Sequence, residues 1–190
     1  MNNNKIIIAV TGASGAVYAK LLFKKLYELK FSPDNCALIF SQNACSVWRY
    51  ELPEDNIEDI PYPIFQPDDF FAPVASGSAG YDTMIICPCT MGTLGRIASG
   101  VSNDLITRAA DVILKERKKL ILVTREMPLN LIHINNMKTV TEAGGIICPA
   151  SPSFYSKATD TEEILTTVIG KILSLADIDF TGFRWGENPE

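Results

Sequence analysis

An α/β fold, a parallel sheet covered by helices on both faces, is what this sequence predicts. Three observations carry that expectation. Short apolar runs rich in β-branched residues alternate along the chain with amphipathic stretches of helical period. The residues that follow these runs are small, hydroxylated or charged, as expected at the ligand-facing ends of parallel strands. Finally, 190 residues, 47% hydrophobic and 21% charged, suffice for one full-sized core. No linker or internal repeat interrupts the chain, so residues 1–190 read as a single domain with a C-terminal tail from about 177.

The first element organises the rest. Lys5-Ile6-Ile7-Ile8-Ala9-Val10 reads as a buried strand and Thr11-Gly12-Ala13-Ser14-Gly15-Ala16 as a tight turn. Val17, Leu21, Leu22, Leu26 and Leu29 then mark the apolar side of a helix. Gly12 and Gly15 let backbone N–H groups approach a ligand, and the helix N-terminus favours an anion. Without a ligand, the same stretch is a plain strand-to-helix turn. Its Gly-x-x-Gly spacing falls short of the dinucleotide fingerprint and suits a phosphate better than a nicotinamide dinucleotide.

Residues 36–40 give a second strand that stops at Ser41, followed by a helix over 43–51. Between 52 and 82, Pro53, Pro61, Pro63, Pro67 and Pro73 leave mostly loop, with a short strand at 62–65. So long a loop in a small domain is usually functional, and this one carries Phe70-Phe71 and the small-residue run Ala75-Ser76-Gly77-Ser78. A strand over 83–87 runs into Pro88-Cys89-Thr90 and a helix over 91–98. The next helix, 103–115, ends in Lys115, Arg117, Lys118 and Lys119, which suit its C-terminal dipole. A strand over 119–124 delivers Arg125-Glu126, and Asn130 caps a helix ending at Gly144-Gly145. Residues 146–148 form a short strand, and Thr159-x-x-Glu162 reads as a capping box opening a last helix over 164–175. This order is that of a Rossmann-like (flavodoxin-like) domain.

A net charge of −5 argues against a general nucleic-acid role, so local cations must hold any anionic ligand. No apolar run approaches the roughly 18 residues that span a bilayer. Met1-Asn2-Asn3-Asn4 and the short run behind it lack a signal-peptide layout, so no membrane partner and a cytoplasmic location are expected. Cys36, Cys45, Cys87, Cys89 and Cys148 lack metal-ligand spacing and read as reduced thiols in or beside the core, and no metal is expected.

The rim formed by 11–15, Ser41, 88–90, Arg125-Glu126 and Pro149 is the expected active face. A nicotinamide site would place an acid after the second strand; Ser41 suits a mononucleotide phosphate, so FMN fits better than NAD. Arg108, Lys115 and Arg125 are candidates for a second anion site. The first two stand two helical turns apart and share a face, although each can equally be a solvated surface charge. Arg125 follows a buried strand directly onto the rim, with Glu126 available as a local partner. His133, in Leu131-Ile132-His133-Ile134, reads as a packing or helix-start residue rather than a catalyst. Trp185 is a tail anchor or, if folded onto the rim, an aromatic face for a cation.

Several of these stretches, with others along the chain, resemble the UbiX-type flavin prenyltransferases, within the superfamily of homo-oligomeric flavin-containing cysteine decarboxylases. The carriers are residues 11–16, Ala75-Ser76-Gly77-Ser78, Cys87-Pro88-Cys89-Thr90-Met91-Gly92-Thr93-Leu94, Arg108-Ala109-Ala110-Asp111-Val112, Leu114-Lys115-Glu116-Arg117, Arg125-Glu126, Phe154-Tyr155 and Arg184-Trp185-Gly186-Glu187. The resemblance covers nearly the whole chain. It implies transfer of a dimethylallyl group from dimethylallyl phosphate, or in some members the diphosphate, to N5 and C6 of reduced FMN. The product, prenylated FMN, would serve UbiD-type decarboxylases. It also implies a metal-independent homo-oligomer, a dodecamer, with active sites between subunits.

By matching position, the resemblance assigns Gly12, Ala13, Ser14, Ser41, Cys89, Thr90, Thr93 and Arg125 to the flavin. Ser14 and Glu51 would manage protons near N5. Arg108, Lys115, Arg125, Glu126, Tyr155 and Lys171 would serve the donor phosphate, and Trp185 would wall the pocket where allylic positive charge develops. Ser14, Glu51, Glu126 and Trp185 thus take the catalytic roles. Elementary chemistry agrees, because cleaving an allylic C–O bond leaves a phosphate anion for cations and a phenol, and a delocalised cation for aromatic faces. Two positions depart from the family: Lys171 replaces its usual arginine, and Phe70 replaces the tryptophan of many bacterial members. Two rivals remain. One is a flavin-dependent decarboxylase of peptidyl or pantothenoyl cysteine, whose Pro-x-Met-Asn motif is replaced here by Arg125-Glu126-Met127-Pro128. The other is an FMN-binding scaffold without catalysis.

Overall fold

Five consecutive apolar residues, all buried, make β1 (Ile6–Val10) the centre of the sheet. Its side chains alternate as a strand buried on both sides must: Ile6, Ile8 and Val10 enter one core, Ile7 and Ala9 the other. The computed structural model describes residues 4–155 and 157–180. Within them β1 is joined by β2 (Cys36–Phe40), β3 (Ile64–Phe65), β4 (Thr83–Cys89), β5 (Lys119–Thr124) and β6 (Ile146–Ile147). The sheet runs β3-β2-β1-β4-β5-β6, with every pair parallel. Without the two-residue edge strand β3, this is the flavodoxin-like order, whose ligand crevice opens where the winding reverses. Here that point lies between β1 and β4.

Six helices among the described residues flank the sheet: α1 (Ala16–Glu28), α2 (Gln42–Glu51), α3 (Met91–Ala98), α4 (Leu105–Lys115), α5 (Leu131–Glu142) and α6 (Thr161–Leu175). Leu22, Leu26, Trp48, Ile169 and Ile172 bring α1, α2 and α6 onto one face. Leu94, Ile106, Ile113 and Val140 bring α3, α4 and α5 onto the other. Each such large side chain contributes about 1.5–3 kcal/mol when fully buried.

Several boundaries differ from the sequence expectation, each for a local reason. α4 starts at Leu105, two residues later than expected, because Asp104 caps it, its carboxylate accepting the Thr107 N–H at 2.8 Å. α6 starts three residues earlier than expected, directly after its cap, and that cap is Asp160 rather than Thr159. Asp160 accepts the Glu163 N–H at 2.8 Å, and Glu163, not Glu162, reaches back to the Thr159 N–H at 2.9 Å. β4 continues through Pro88, where its register with β5 shifts between Ile86 and Cys89. Asn130 does cap α5, accepting the His133 N–H at 2.8 Å, and His133 Nδ1 faces the Asn130 N–H at 3.5 Å. The histidine is therefore a helix-start residue, but Leu131, Ile132 and Ile134 around it are exposed rather than packed. The cysteines are free thiols, buried at 36, 87, 89 and 148 and half-buried at 45. Ile178 is still buried against the core, past the expected start of the tail.

Candidate active site

Parallel strands end on one edge, so the 11–15 loop, Ser41, Thr90, Arg125 and Pro149 share the carboxyl rim. The two loop glycines have separate structural reasons. A Cβ on Gly12 would stand 2.6 Å from that of Asn43, and Gly15 sits at φ +108°.

The anion expected at the N-terminus of α1 is already present in the chain. Glu51, the last residue of α2, accepts from the Gly15 N–H at 2.9 Å and the Ala16 N–H at 2.8 Å through Oε2. Partial burial pushes its carboxyl up. Hydrogen bonds from the Ser14 hydroxyl and from those two N–H groups, together with the charge of Arg125, outweigh burial and hold it below the usual carboxylate range. Glu51 is an ionised carboxylate facing exposed Ser14.

A ligand phosphate is thereby shifted from α1 to the N-termini of α2 and α3, neither of which has an acid in its first turn. Ser41 Oγ accepts the Ala44 N–H at 3.1 Å, which leaves its own proton free to donate. Thr90 Oγ1 accepts the Thr93 N–H at 3.1 Å, leaving the N–H groups of Met91 and Gly92 without helical partners. Cys89 and Thr93 contribute less than expected. Burial drives the Cys89 thiol up to about 12, and the buried Thr93 hydroxyl is engaged by Thr90 and Arg96. For Cys89 only the backbone is left for a ligand. Half-buried Gly12 and Ala13 line the crevice with main chain. Two hydroxyls, two helix ends and no competing acid fit the phosphate ester of a mononucleotide, which is what FMN presents.

Exposed Arg125 stands at the end of β5, close enough for its charge to act on Glu51 and on the Tyr18 phenol, where burial and Cys87 push the other way. Glu126 accepts the Met127 N–H at 3.1 Å, and no Arg125–Glu126 ion pair occurs among the described residues. Lys171 is exposed on α6, and its charge opposes the burial that raises the Cys148 thiol just beyond β6. Tyr155 is exposed on the loop after β6.

Arg108 and Lys115 do not join this group. Both lie on α4, on one face as their spacing predicts, with Arg108 reaching Ala75 and Glu116, the partner of Lys115, reaching Gly77. Arg108 donates to the Ala75 carbonyl at 3.2 Å and pairs with Asp111 at 3.1 Å. Lys115 pairs with Glu116 at 2.6 Å, and the carboxylate of Glu116 leaves no room for a Cβ on Gly77. Lys115 closes α4 just before β5 begins, so it belongs to the amino edge of the sheet, beside the Lys118–Asp82 pair. Strands of this length put roughly 15–20 Å between the two edges. The expected convergence of Lys115 with Arg125 therefore does not occur within one chain. Trp185 lies outside the described residues.

Sequence reasoning placed Thr11 on the rim but gave its hydroxyl no role. Its hydroxyl is buried and bonds to Pro88 near the end of β4 and to Thr90 just beyond it. The available signal was a hydroxyl wedged between an apolar strand and a glycine. Among the described residues no three His, Cys, Asp or Glu side chains group as metal ligands, and no helix is long and apolar enough to cross a membrane.

A family profile described as Flavoprotein matches residues 1–173. The flavin prenyltransferase UbiX of Methanocaldococcus jannaschii is 42% identical over 185 residues, spanning 96% of this chain and 98% of the relative. AnUbiX (PadA1), solved in complex with FMN and dimethylallyl pyrophosphate, superposes with a TM-score of 0.86 at 38% identity, over 95% of this chain and 99% of that one. A dodecameric FMN-dependent UbiX-like decarboxylase from Escherichia coli O157:H7 gives 0.89 at 34% identity, over 95% and 98%. With its flavodoxin-like sheet, its mononucleotide rim and these full-length similarities, the chain belongs to the Flavoprotein family and, within it, to the UbiX flavin prenyltransferases.

Proposed function

We propose that this protein transfers the dimethylallyl group of dimethylallyl phosphate to N5 and C6 of reduced FMN, releasing phosphate and prenylated FMN. The observation that carries this reading is the Ser14–Glu51 arrangement in the crevice between β1 and β4, with the charge of Arg125 acting on it. Reduced FMN, when bound, supplies the nucleophilic ring atoms. Ser41 and Thr90 hold its phosphate between the ends of α2 and α3. Glu51, kept ionised, takes up a proton released near N5 through the Ser14 hydroxyl. As the allylic C–O bond breaks, its electron pair leaves on the phosphate, and Arg125, Lys171 and the Tyr155 phenol neutralise that charge. Glu126 follows Arg125 on the rim, and the family resemblance alone assigns Trp185 to the allylic cation.

Lys115 and Arg108 enter this site from a second copy of the chain. Two facts support that assembly: the edge-to-edge separation within one chain, and exposed apolar side chains such as Phe71, Met127, Leu131 and Ile132 that call for cover. A dodecamer, a cytoplasmic location and delivery of the product to a UbiD-type decarboxylase complete the proposal.

Weighing the flavin released after incubating protein, reduced FMN and dimethylallyl phosphate tests it. A gain of one C5 unit is expected. Unchanged flavin, together with loss of CO2 from a cysteine-terminated substrate, would overturn it in favour of the cysteine decarboxylases.

A further inference from the structure

The crevice that receives the flavin opens where β1 and β4 part, α1 leaving towards one face of the sheet and α3 towards the other. Its two lining segments, the loop after β1 and the end of β4 with Thr90, meet through residues 77 apart in sequence. One buried hydroxyl spans them. Thr11, 2% exposed, donates from Oγ1 to the Pro88 carbonyl at 2.7 Å and accepts at the same atom from the Thr90 N–H at 2.9 Å. Its own N–H also meets the Pro88 carbonyl, at 3.2 Å. From Thr90 the chain of bonds continues: Thr90 Oγ1 accepts the Thr93 N–H, and Thr93 Oγ1 accepts from Arg96 at 3.3 Å.

This use of the hydroxyl is specific. A methyl group of the same size would fill the space but would leave the part-buried Thr90 N–H without its partner. The β1–β4 ladder stops pairing in register after Ile86, so regular sheet bonding does not fix the separation of the two loops at the rim.

We propose that Thr11 is a positioning residue for the flavin. Its hydroxyl sets the distance between the 12–15 loop and Thr90, and so the width of the crevice that takes the FMN ring on one side and its phosphate on the other. The inference rests on the flavin reading above. With the clamp removed, ordering the two loops becomes a cost of binding FMN. Binding of the isoprenoid donor to the loaded enzyme is then untouched.

The test compares Thr11→Val, Thr11→Ala and Thr11→Ser with the wild type by FMN titration, thermal melting of the FMN-free protein and donor KM at saturating FMN. Thr11→Val is expected to melt near the wild type, to lose about tenfold to a hundredfold in FMN affinity, the cost of one unpaired buried group, and to keep its donor KM. Thr11→Ser, which retains the hydroxyl, is expected to restore affinity. Wild-type FMN affinity in Thr11→Val overturns the proposal. So does failure of both Val and Ala variants to fold while the Ser variant folds, since the hydroxyl is then a core strut. A wild-type protein that itself ignores FMN would instead sink the functional reading.

Discussion

Glu51 and Lys171 carry two of the proposed roles, and each can be tested by a single substitution. The folded-state value of Glu51 is depressed from its ordinary 4.5. Its contribution to stability is therefore present above that value and is lost as pH falls through the lower folded-state value. Thermal melts in acid should show the wild type losing stability that Glu51→Gln, with nothing to titrate there, does not lose. The same variant should keep its FMN affinity yet slow prenyl transfer by about two orders of magnitude, the usual scale for a proton-transfer group. An unchanged single-turnover rate would remove Glu51 from the mechanism. In the proposed mechanism Lys171 would offer the donor a mobile point charge where an arginine would offer a planar fork. Lys171→Ala should raise the donor KM about tenfold to a hundredfold, the range for a charged hydrogen bond, and leave FMN affinity alone. Unaltered donor kinetics would make it an ordinary surface charge.

At the scale of elements, α4 carries both Arg108 and Lys115, so under the proposed assembly the stability of its first turn bears on the site. Asp104 caps it. Burial pushes its carboxyl up, but the Thr107 N–H and hydroxyl and the Arg96 guanidinium bring it below the usual range. Removing the cap as Asp104→Ala should cost about 1 kcal/mol from the lost cap bond, and somewhat more because Arg96 loses its partner. A calorimetric midpoint equal to the wild type would contradict this. The helices and strands were readable in advance because continuous β-branched apolar runs such as Ile6–Val10 and helical apolar patterns such as Leu105–Lys115 are strong signals. The capping box of α6 slipped by one because Thr159, Asp160, Glu162 and Glu163 satisfy the pattern in either frame. Ser41 in place of an acid was enough to prefer FMN to NAD. The spacing of Arg108 and Lys115 showed that they share a face, but spacing on a helix says nothing of which edge of the sheet its end meets. The position of Lys115 just ahead of β5 held that information. The Thr11 clamp was hidden because it joins residues distant in sequence. Lys171 and Tyr155 were found only through resemblance to relatives, since neither lies in a motif with a local physical signature.

At the scale of the whole molecule, the separation of Lys115 from Arg125 across the sheet is the central constraint. A parallel sheet cannot bring the end of a helix that feeds a strand to the rim where that strand finishes. If both residues act on one donor, they come from different chains, and the exposed apolar side chains around α5 give those chains a surface on which to meet. The measurement that reaches this claim most directly mixes two inactive variants, Arg125→Ala and Lys115→Ala, under verified subunit exchange, and follows prenylated FMN. Random mixing restores both side chains to about a quarter of the shared sites of a symmetric oligomer. The account predicts that activity returns to about that fraction. Exchange without any recovery would contradict it, placing both residues within one chain's site.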